Sequence, residues 1–256
     1  MNNIIKPIFI FGNPKTGTTL LWKALLNHPD VCGPTIEGQD LDNIPKEMKH
    51  FFGHVTFMLW AHPDFRMCYW VDENSYNDKI SKNLINVYSK YNKSNERFLT
   101  KSPADTMRAR LLQKIFPDAF FISIVRDPYS NIQSIVSSRK KDDRYPNMPS
   151  QFTTIEQASE QWFYANTIIL SHKEFLKNYL IIRYEDIIEN SDETFKKILS
   201  FCQLDYEKFE MPDIDKTKNN IRFSEIDNYD IEVITRICGP LIEHFGYKRL
   251  GGKIKW

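Results

Sequence analysis

Runs of consecutive apolar residues alternate along this chain with stretches in which apolar residues recur at every third or fourth position. The clearest runs cover residues 8–11, 119–125 and 179–182, and a further short strand is predicted to end at Lys101. Consecutive apolar residues indicate strands that are buried on both faces of a parallel sheet. Because stretches with helical spacing separate these runs, the pattern predicts alternating strands and helices, which is typical of an α/β fold.

The helical spacing predicts one helix that begins at residue 18 and others over residues 72–91, 105–116, 129–139, 155–177, 191–202 and 229–245. The last helix should break or end near Gly239 and Pro240, because proline removes a hydrogen bond from a helix interior. No internal repeat or low-complexity tract divides the chain. We therefore expect one domain over residues 1–256, in which helices flank a central, mostly parallel sheet in three layers.

Composition narrows the class of protein. The chain has 256 residues, of which 41% are apolar and 14% aromatic, and this is enough to bury a full core. A formal net charge of +1 argues against a general nucleic-acid-binding protein, whose domains usually carry strongly basic faces. The sequence has no signal-peptide pattern, no apolar run long enough to span a bilayer and no paired zinc motif. We expect a cytoplasmic protein without an integral membrane segment, a nucleic-acid partner or disulfides.

The segment between the first predicted strand and helix has the residues of an anion-binding loop. Gly12 and Gly17 have the separation found in the GxxxxGK[ST] loop that binds ATP or GTP, but Thr18 replaces the phosphate-binding lysine. The loop carries Lys15 instead, and Thr19 adds a second hydroxyl. Unpaired N–H groups and the positive end of the dipole at a helix start still suit a phosphate. An ordinary glycine-containing turn is the alternative interpretation.

A second phosphate-binding candidate follows the most apolar strand. Arg126 comes directly after residues 119–125, at the strand end where ligands of open α/β sheets bind, and its guanidinium matches a phosphate with two parallel hydrogen bonds. The helix that follows carries Ser134 in a stripe of serines, for which a solvated face is the alternative. Asp127 is poorly placed as a magnesium ligand, because Arg126 separates it from the strand.

Together these motifs resemble the sulfotransferases that use 3′-phosphoadenosine 5′-phosphosulfate (PAPS). The segment PKTGTTLL, followed by NHP, resembles the 5′-phosphosulfate loop of the bacterial branch related to tyrosylprotein and carbohydrate sulfotransferases. Arg126 followed eight residues later by Ser134 resembles the family's 3′-phosphate site, and IRYED resembles a third block whose tyrosine lies close to the nucleotide. The resemblance implies a P-loop-type fold and nucleotide contacts from Lys15, Thr16, Gly17, Thr18, Thr19, Leu20, Arg126, Ser134 and Tyr184.

The same resemblance implies two catalytic lysines and one catalytic carboxylate. Lys15 in the loop and Lys101 at the end of a short strand match the lysines near the transferring group, although a surface lysine at a strand end is the alternative for Lys101. Cytosolic sulfotransferases place a histidine after the second lysine, but none follows Lys101 here. Glu37 resembles the catalytic glutamate of the tyrosylprotein branch, at a spacing that is longer by a few residues. Asp40 is its rival.

Two features bear on the acceptor and on the adenine. The aromatic segment 51–70 is either a wall of the acceptor pocket or core packing, and its histidines are further candidates for the general base. Leu20 stands where the cytosolic enzymes stack a tryptophan on adenine, so the resemblance disfavours their steroid and phenol branch.

The resemblance implies in-line transfer of a sulfuryl group from PAPS to a hydroxyl acceptor, which gives 3′-phosphoadenosine 5′-phosphate (PAP) and a sulfate ester. The acceptor would be a carbohydrate, a lipid or a small molecule, and a peptide tyrosine also stays open. A carboxylate would act as base and lysines would stabilise the leaving oxygen without a metal ion. Two other functions stay open: an ATP-dependent small-molecule kinase of the P-loop type and a nucleotide-binding protein without catalysis.

Overall fold

A five-stranded parallel sheet forms the centre of the fold. The computed structural model describes residues 4–49, 58–138, 153–215 and 226–251. The sheet order is β2-β3-β1-β4-β5, and every pair of neighbouring strands runs parallel. The strands are β1 Ile8–Gly12, β2 Val31–Cys32, β3 Arg97–Lys101, β4 Phe120–Val125 and β5 Asn178–Arg183. The predicted α/β fold with a central parallel sheet is therefore confirmed.

Helices cover both faces of this sheet and give it three layers. In the central strand, Ile8 and Ile10 pack into a core with α1 (Thr18–Leu26), α6 (Tyr184–Glu189) and α7 (Ser191–Phe201). Phe9 and Phe11 belong to a second core with α2 (Asp78–Ser89) and α3 (Ala109–Ile115). The consecutive apolar residues of β1 are explained by this burial on both faces, since successive side chains of a strand point to opposite sides.

Three further helices pack on one another beside the second half of the sheet. These are α4 (Pro128–Ser138), α5 (Ile155–Ser171) and α8 (Asn228–Ile242), and they share a core with Val125 at the end of β4. The buried side of α4 includes Ile132 and Ile135, and Ser130 and Ser134 are also buried. The interpretation of these serines as part of a solvated face is therefore wrong at these two positions.

The structure corrects several predicted helices. The helix predicted over residues 72–91 spans only Asp78–Ser89, and the one predicted over residues 105–116 begins as a 3-10 turn before α3. The helix predicted over residues 155–177 ends at Ser171, where a short 3-10 turn leads to β5, because pairing of residue 178 onward with β4 outweighs the local helical spacing. The last helix passes through Gly239 and Pro240 without a break and ends at Ile242, so the predicted end near these residues is confirmed and the predicted break is wrong. Burial of Cys238 and Ile242 in the third core offsets the hydrogen bond that Pro240 cannot make.

Ligand-binding positions are set by the carboxyl edge of the sheet. The chain places β2 and β3 on one side of β1 and then β4 and β5 on the other, so the carboxyl end of β1 is the point at which the strand order reverses. Open α/β sheets bind ligands in the crevice at this point.

The prediction that residues 1–256 form one domain stays a prediction. Within the described ranges, no helix combines the length and apolar character needed to cross a membrane.

Candidate active site

The loop between β1 and α1 is a compact turn at this edge. Lys15 and Gly17 both have left-handed backbone conformations, with φ of 64° and 93°. The Thr16 hydroxyl donates to the Asn13 carbonyl over 2.7 Å, which closes the turn. The loop therefore presents the start of α1 to the crevice, where its N–H groups can bind an anion.

A chain of buried amides holds this loop from behind. Asn13 donates to the side chain of Asn131 over 2.6 Å, and Asn131 donates in turn to the Pro14 carbonyl over 2.8 Å. Gln161 donates to the Asn13 side chain over 3.0 Å and accepts from the Ala61 N–H over 2.7 Å. The sequence analysis did not predict these hydrogen bonds. Their one local sign was Asn13, a polar residue directly after a buried strand.

Tyr184 lies between the loop and Arg126. A Cβ atom at position 17 would lie 2.4 Å from the Tyr184 ring, so only glycine allows this close approach. The Arg126 guanidinium carbon lies 4.4 Å from the centre of the same ring, and its Nη1 donates to the Lys15 carbonyl over 2.9 Å. Nη1 also lies 3.5 Å from the Ser134 hydroxyl. Arg126 thus contacts the predicted phosphosulfate loop, and Ser134, the second residue predicted to bind the 3′-phosphate, lies beside Arg126.

Lys101 and Glu37 meet on the other side of β1. Lys101 is the last residue of β3 and is buried, and its ammonium donates to Oε1 of Glu37. The ammonium also lies 5.3 Å from the centre of the Trp22 ring. The loop that carries Glu37 reaches β3 through Gly33, where a Cβ atom would lie only 2.0 Å from the Leu99 carbonyl oxygen.

A buried glutamine holds the second oxygen of Glu37, and a buried serine holds that glutamine in turn. Gln39 donates to Oε2 of Glu37 over 2.6 Å, and the Ser102 hydroxyl donates to the carbonyl oxygen of the Gln39 side chain. Burial lowers the pKa of Lys101, while the adjacent Glu37 carboxylate opposes that shift. The carboxylate is therefore fixed at both oxygens beside a buried cation.

A cavity of about 290 Å³ opens in front of these groups. It brings together nine of the predicted site residues: Lys15, Gly17, Thr18, Thr19, Glu37, Lys101, Arg126, Ser134 and Tyr184. Thr16 and Leu20 are not among its lining residues. The Thr16 hydroxyl is bonded within the loop, and Leu20 packs against the first core. The arrangement combines an anion-binding helix start, cations and a carboxylate, which suits transfer of an anionic group to an acceptor that must lose a proton.

Two other candidates for the general base, Asp40 and His62, do not line this cavity. Asp40 is exposed and is not among the residues that line the cavity. His62 does not line it either, and its Nε2 is 2.8 Å from the Glu160 carboxylate. Residues 50–57, which include His50 and His54 of the aromatic segment, lie outside the described residues.

Asp127 has a structural role at the start of α4. Its Oδ1 accepts from the Ser130 N–H over 3.0 Å, and burial raises its pKa to about 6. Within the described part of the chain, no three His, Cys, Asp or Glu side chains are arranged to hold a metal ion.

Comparison with known sequences identifies the family. A model of the sulfotransferase family matches residues 7–208. A putative protein-tyrosine sulfotransferase of Caenorhabditis briggsae is 23% identical over 80% of this chain and 68% of its own length. The protein-tyrosine sulfotransferase of Drosophila melanogaster is 24% identical over 77% of this chain, and the nodulation protein NoeE of Sinorhizobium fredii is 23% identical over 75%. The chain spans only 38% and 48% of the lengths of these last two relatives.

Solved structures show the same fold. Sulfotransferase STF9 from Mycobacterium avium superposes with a TM-score of 0.60 at 14% identity, over 98% of this chain and 79% of that one. A sulfotransferase from Alicyclobacillus acidocaldarius gives a TM-score of 0.59 at 16% identity, over 96% of this chain and 98% of that one. The P-loop-type fold is thus confirmed by the structures, and the enzyme class by the family match, so that the chain belongs to the sulfotransferase family.

Proposed function

We propose that this protein transfers a sulfuryl group from PAPS to an acceptor hydroxyl and releases PAP and a sulfate ester. The observation that carries the proposal is one cavity lined by the Lys15 loop, by Arg126 with Ser134, and by Lys101 with its partner Glu37. Membership of the sulfotransferase family supports sulfuryl transfer in general. The nucleotide donor and the roles of the residues are part of our proposal.

The residues around the cavity fit a 5′-phosphosulfate and a 3′-phosphate. The helix start with the hydroxyls of Thr18 and Thr19 would hold the phosphosulfate, since N–H groups there carry partial positive charge. Arg126 and Ser134 would hold the 3′-phosphate through charge-assisted hydrogen bonds. The close packing of Tyr184 on Gly17 and Arg126 would keep these two anion sites at a fixed separation.

In the proposed reaction, the acceptor oxygen bonds to sulfur while the bond from sulfur to the nucleotide oxygen breaks. The acceptor proton passes to Glu37, whose carboxylate lines the cavity. Lys15 and Lys101 line it too, and their positive charges would stabilise the oxygen that departs with the nucleotide. We propose that no metal is needed, because the sulfuryl group itself carries little charge.

The proposed acceptor is defined by the hydroxyl group that receives the sulfuryl group. Two relatives are named protein-tyrosine sulfotransferases, so a peptide tyrosine is an acceptor to test beside carbohydrates, lipids and small molecules. The cytoplasmic location expected from the sequence stays a prediction.

Isothermal titration tests the donor. PAP should bind about 10- to 150-fold more tightly than AMP, which corresponds to the 1.5–3 kcal/mol typical of hydrogen bonds to charged groups. Equal affinities would contradict the 3′-phosphate site. Release of PAP from PAPS with a mixture of acceptors then tests catalysis. Turnover with ATP and Mg²⁺ instead would favour the kinase, and PAP binding without turnover would favour a binding protein.

A further inference from the structure

A second cavity lies next to the candidate active site and shares two of its structural elements. Its volume is about 460 Å³, within the range of roughly 300–1,000 Å³ that is typical of small-molecule sites. Trp22, which contacts Lys101, also lines this cavity. Gly33 and Thr35 line it as well, in the same loop that carries Glu37.

Apolar side chains form the walls of the second cavity. They are Trp22 and Leu26 from α1, Val31 from β2 and Tyr91 from the segment after α2. Trp22 is only 4% exposed, so its indole is held in place by the core on its other side. Two aromatic and two aliphatic side chains suit a flat apolar body, because such surfaces bind mainly by burial of apolar area.

The charged residues of the cavity are both cations. Lys23 lies on α1 and Lys93 lies beyond α2, and both are exposed. None of the described lining residues is an aspartate or a glutamate. The Cys32 thiol adds no negative charge, since burial raises its pKa. An anionic group is therefore the charge that this cavity attracts.

No residue of α1 is acidic, so this helix gives Lys23 no partner of opposite charge. Lys93 lies 3.6 Å from Glu96, but its side chain stays 71% exposed, so this pair is weak and can be exchanged for another anion. Both lysines can thus turn toward a ligand at small cost.

We propose that the second cavity binds a small amphipathic anion, with a flat apolar body against Trp22 and Leu26 and one carboxylate or sulfate group beside Lys23 and Lys93. The site is separate from the cavity of Lys15 and Glu37, and the inference does not rest on the proposed reaction.

Titration of the full chain with 2-naphthoate, and with 2-naphthylmethanol as the neutral compound of similar shape, tests the site. Saturable binding of one naphthoate is expected, about 5- to 30-fold tighter than the alcohol, as two exposed charge contacts of up to about 1 kcal/mol each would give. Saturating PAP should leave this binding in place. Equal affinity for the two compounds, or competitive displacement by PAP, would overturn the proposal.

Variants locate the bound probe. Lys23→Gln and Lys93→Gln should each weaken naphthoate about two- to five-fold and leave the alcohol unchanged. Lys82→Gln is the matched control, because Lys82 is exposed on α2 and does not line the cavity. Leu26→Trp should fill the cavity and abolish binding of both compounds. Unchanged naphthoate affinity in both lysine variants, or full binding to a Leu26→Trp protein that circular dichroism shows to be folded, would place the probe elsewhere and overturn the assignment.

Discussion

The ammonium of Lys101 donates a hydrogen bond to the carboxylate of Glu37, which precedes it by 64 residues in the chain. The side chain of Lys101 is 2% exposed, whereas that of Glu37 is 26% exposed. The carboxylate is therefore the member of the pair that an acceptor can reach more easily. Because the two groups are in contact, the cation fixes the carboxylate as well as contributing charge to the cavity.

Glu37→Gln should lower kcat by ~10²- to 10⁴-fold and leave the affinity for PAP nearly unchanged, as expected when only proton transfer is lost. Single-turnover kinetics and PAP titration measure the two quantities. Asp40→Asn is the control, since Asp40 is exposed and does not line the cavity. If the control loses activity and Glu37→Gln keeps it, Asp40 is the base. Joint loss of PAP binding and turnover in Glu37→Gln would also contradict the proposed role.

Gln39→Leu should lower kcat by up to about 10²-fold and leave the affinity for PAP nearly unchanged. Gln39 donates to Oε2 of Glu37, and loss of this contact would let the carboxylate move away from the acceptor oxygen. Ser102→Ala is the comparison, because it removes only the donor to Gln39 and should lower kcat less. An unchanged kcat in Gln39→Leu, or a joint loss of PAP binding, would contradict this positioning role.

The sequence predicted the parts of the site that follow strands and missed the parts that support them. Arg126 follows the buried strand β4, and Tyr184 follows the edge strand β5, in which only Ile182 is buried, so that the expected burial of residues 179–182 on both faces is wrong. The carboxyl ends of parallel strands meet at one edge, so the approach of both residues to the loop could still be expected. The bond between Asn13 and Gln161 could not, because the two residues are 148 positions apart and only packing of α5 brings them together. The course of α8 through Pro240 likewise depended on burial that local spacing does not show.

Arg126→Ala should reduce the ratio of PAP affinity to AMP affinity by about 10- to 150-fold, since it removes a charge-assisted contact worth on the order of 1.5–3 kcal/mol. The ratio is the quantity to measure, because Arg126 also donates to the Lys15 carbonyl and its loss will loosen the loop for any nucleotide. Ser134→Ala, which leaves that loop contact in place, should reduce the ratio less. An unchanged ratio in both variants would remove the 3′-phosphate from this site.

Gly17→Ala should destabilise the protein and weaken PAP binding, because the added Cβ would lie 2.4 Å from the Tyr184 ring at a φ of 93°. The backbone strain alone is about 1–2 kcal/mol. Gly246→Ala is a matched control, since it has a similar φ of 75° but its Cβ would meet only the end of Arg183 at 3.6 Å. Urea denaturation should show the larger loss for Gly17→Ala, and Tyr184→Ala should recover part of it. Equal losses for the two glycine variants, without recovery, would exclude the contact with Tyr184 as the cause.

His172 should make the folded protein sensitive to acid. Burial lowers its pKa from 6.5 to about 4, and Nε2 is hydrogen-bonded to the Thr106 carbonyl. Between these two pH values the unfolded chain binds a proton that the folded chain excludes, so the free energy of unfolding falls as the pH is lowered through this window, by about 3 kcal/mol at most. Above pH 6.5 the ring is neutral in the folded and the unfolded chain, so the titration of His172 no longer reduces the free energy of unfolding.

Urea denaturation of the wild type and of His172→Gln between pH 4 and pH 8 measures this contribution. The variant cannot titrate at this position, so its free energy of unfolding should fall less between pH 6.5 and pH 4. Asp105 and Asp127, whose pKa values burial raises to about 6, change the pH dependence in the opposite direction, but they do so in both proteins and cancel in the difference. Parallel curves for the wild type and His172→Gln would show that the ring of His172 accepts a proton in the folded state as readily as in the unfolded chain.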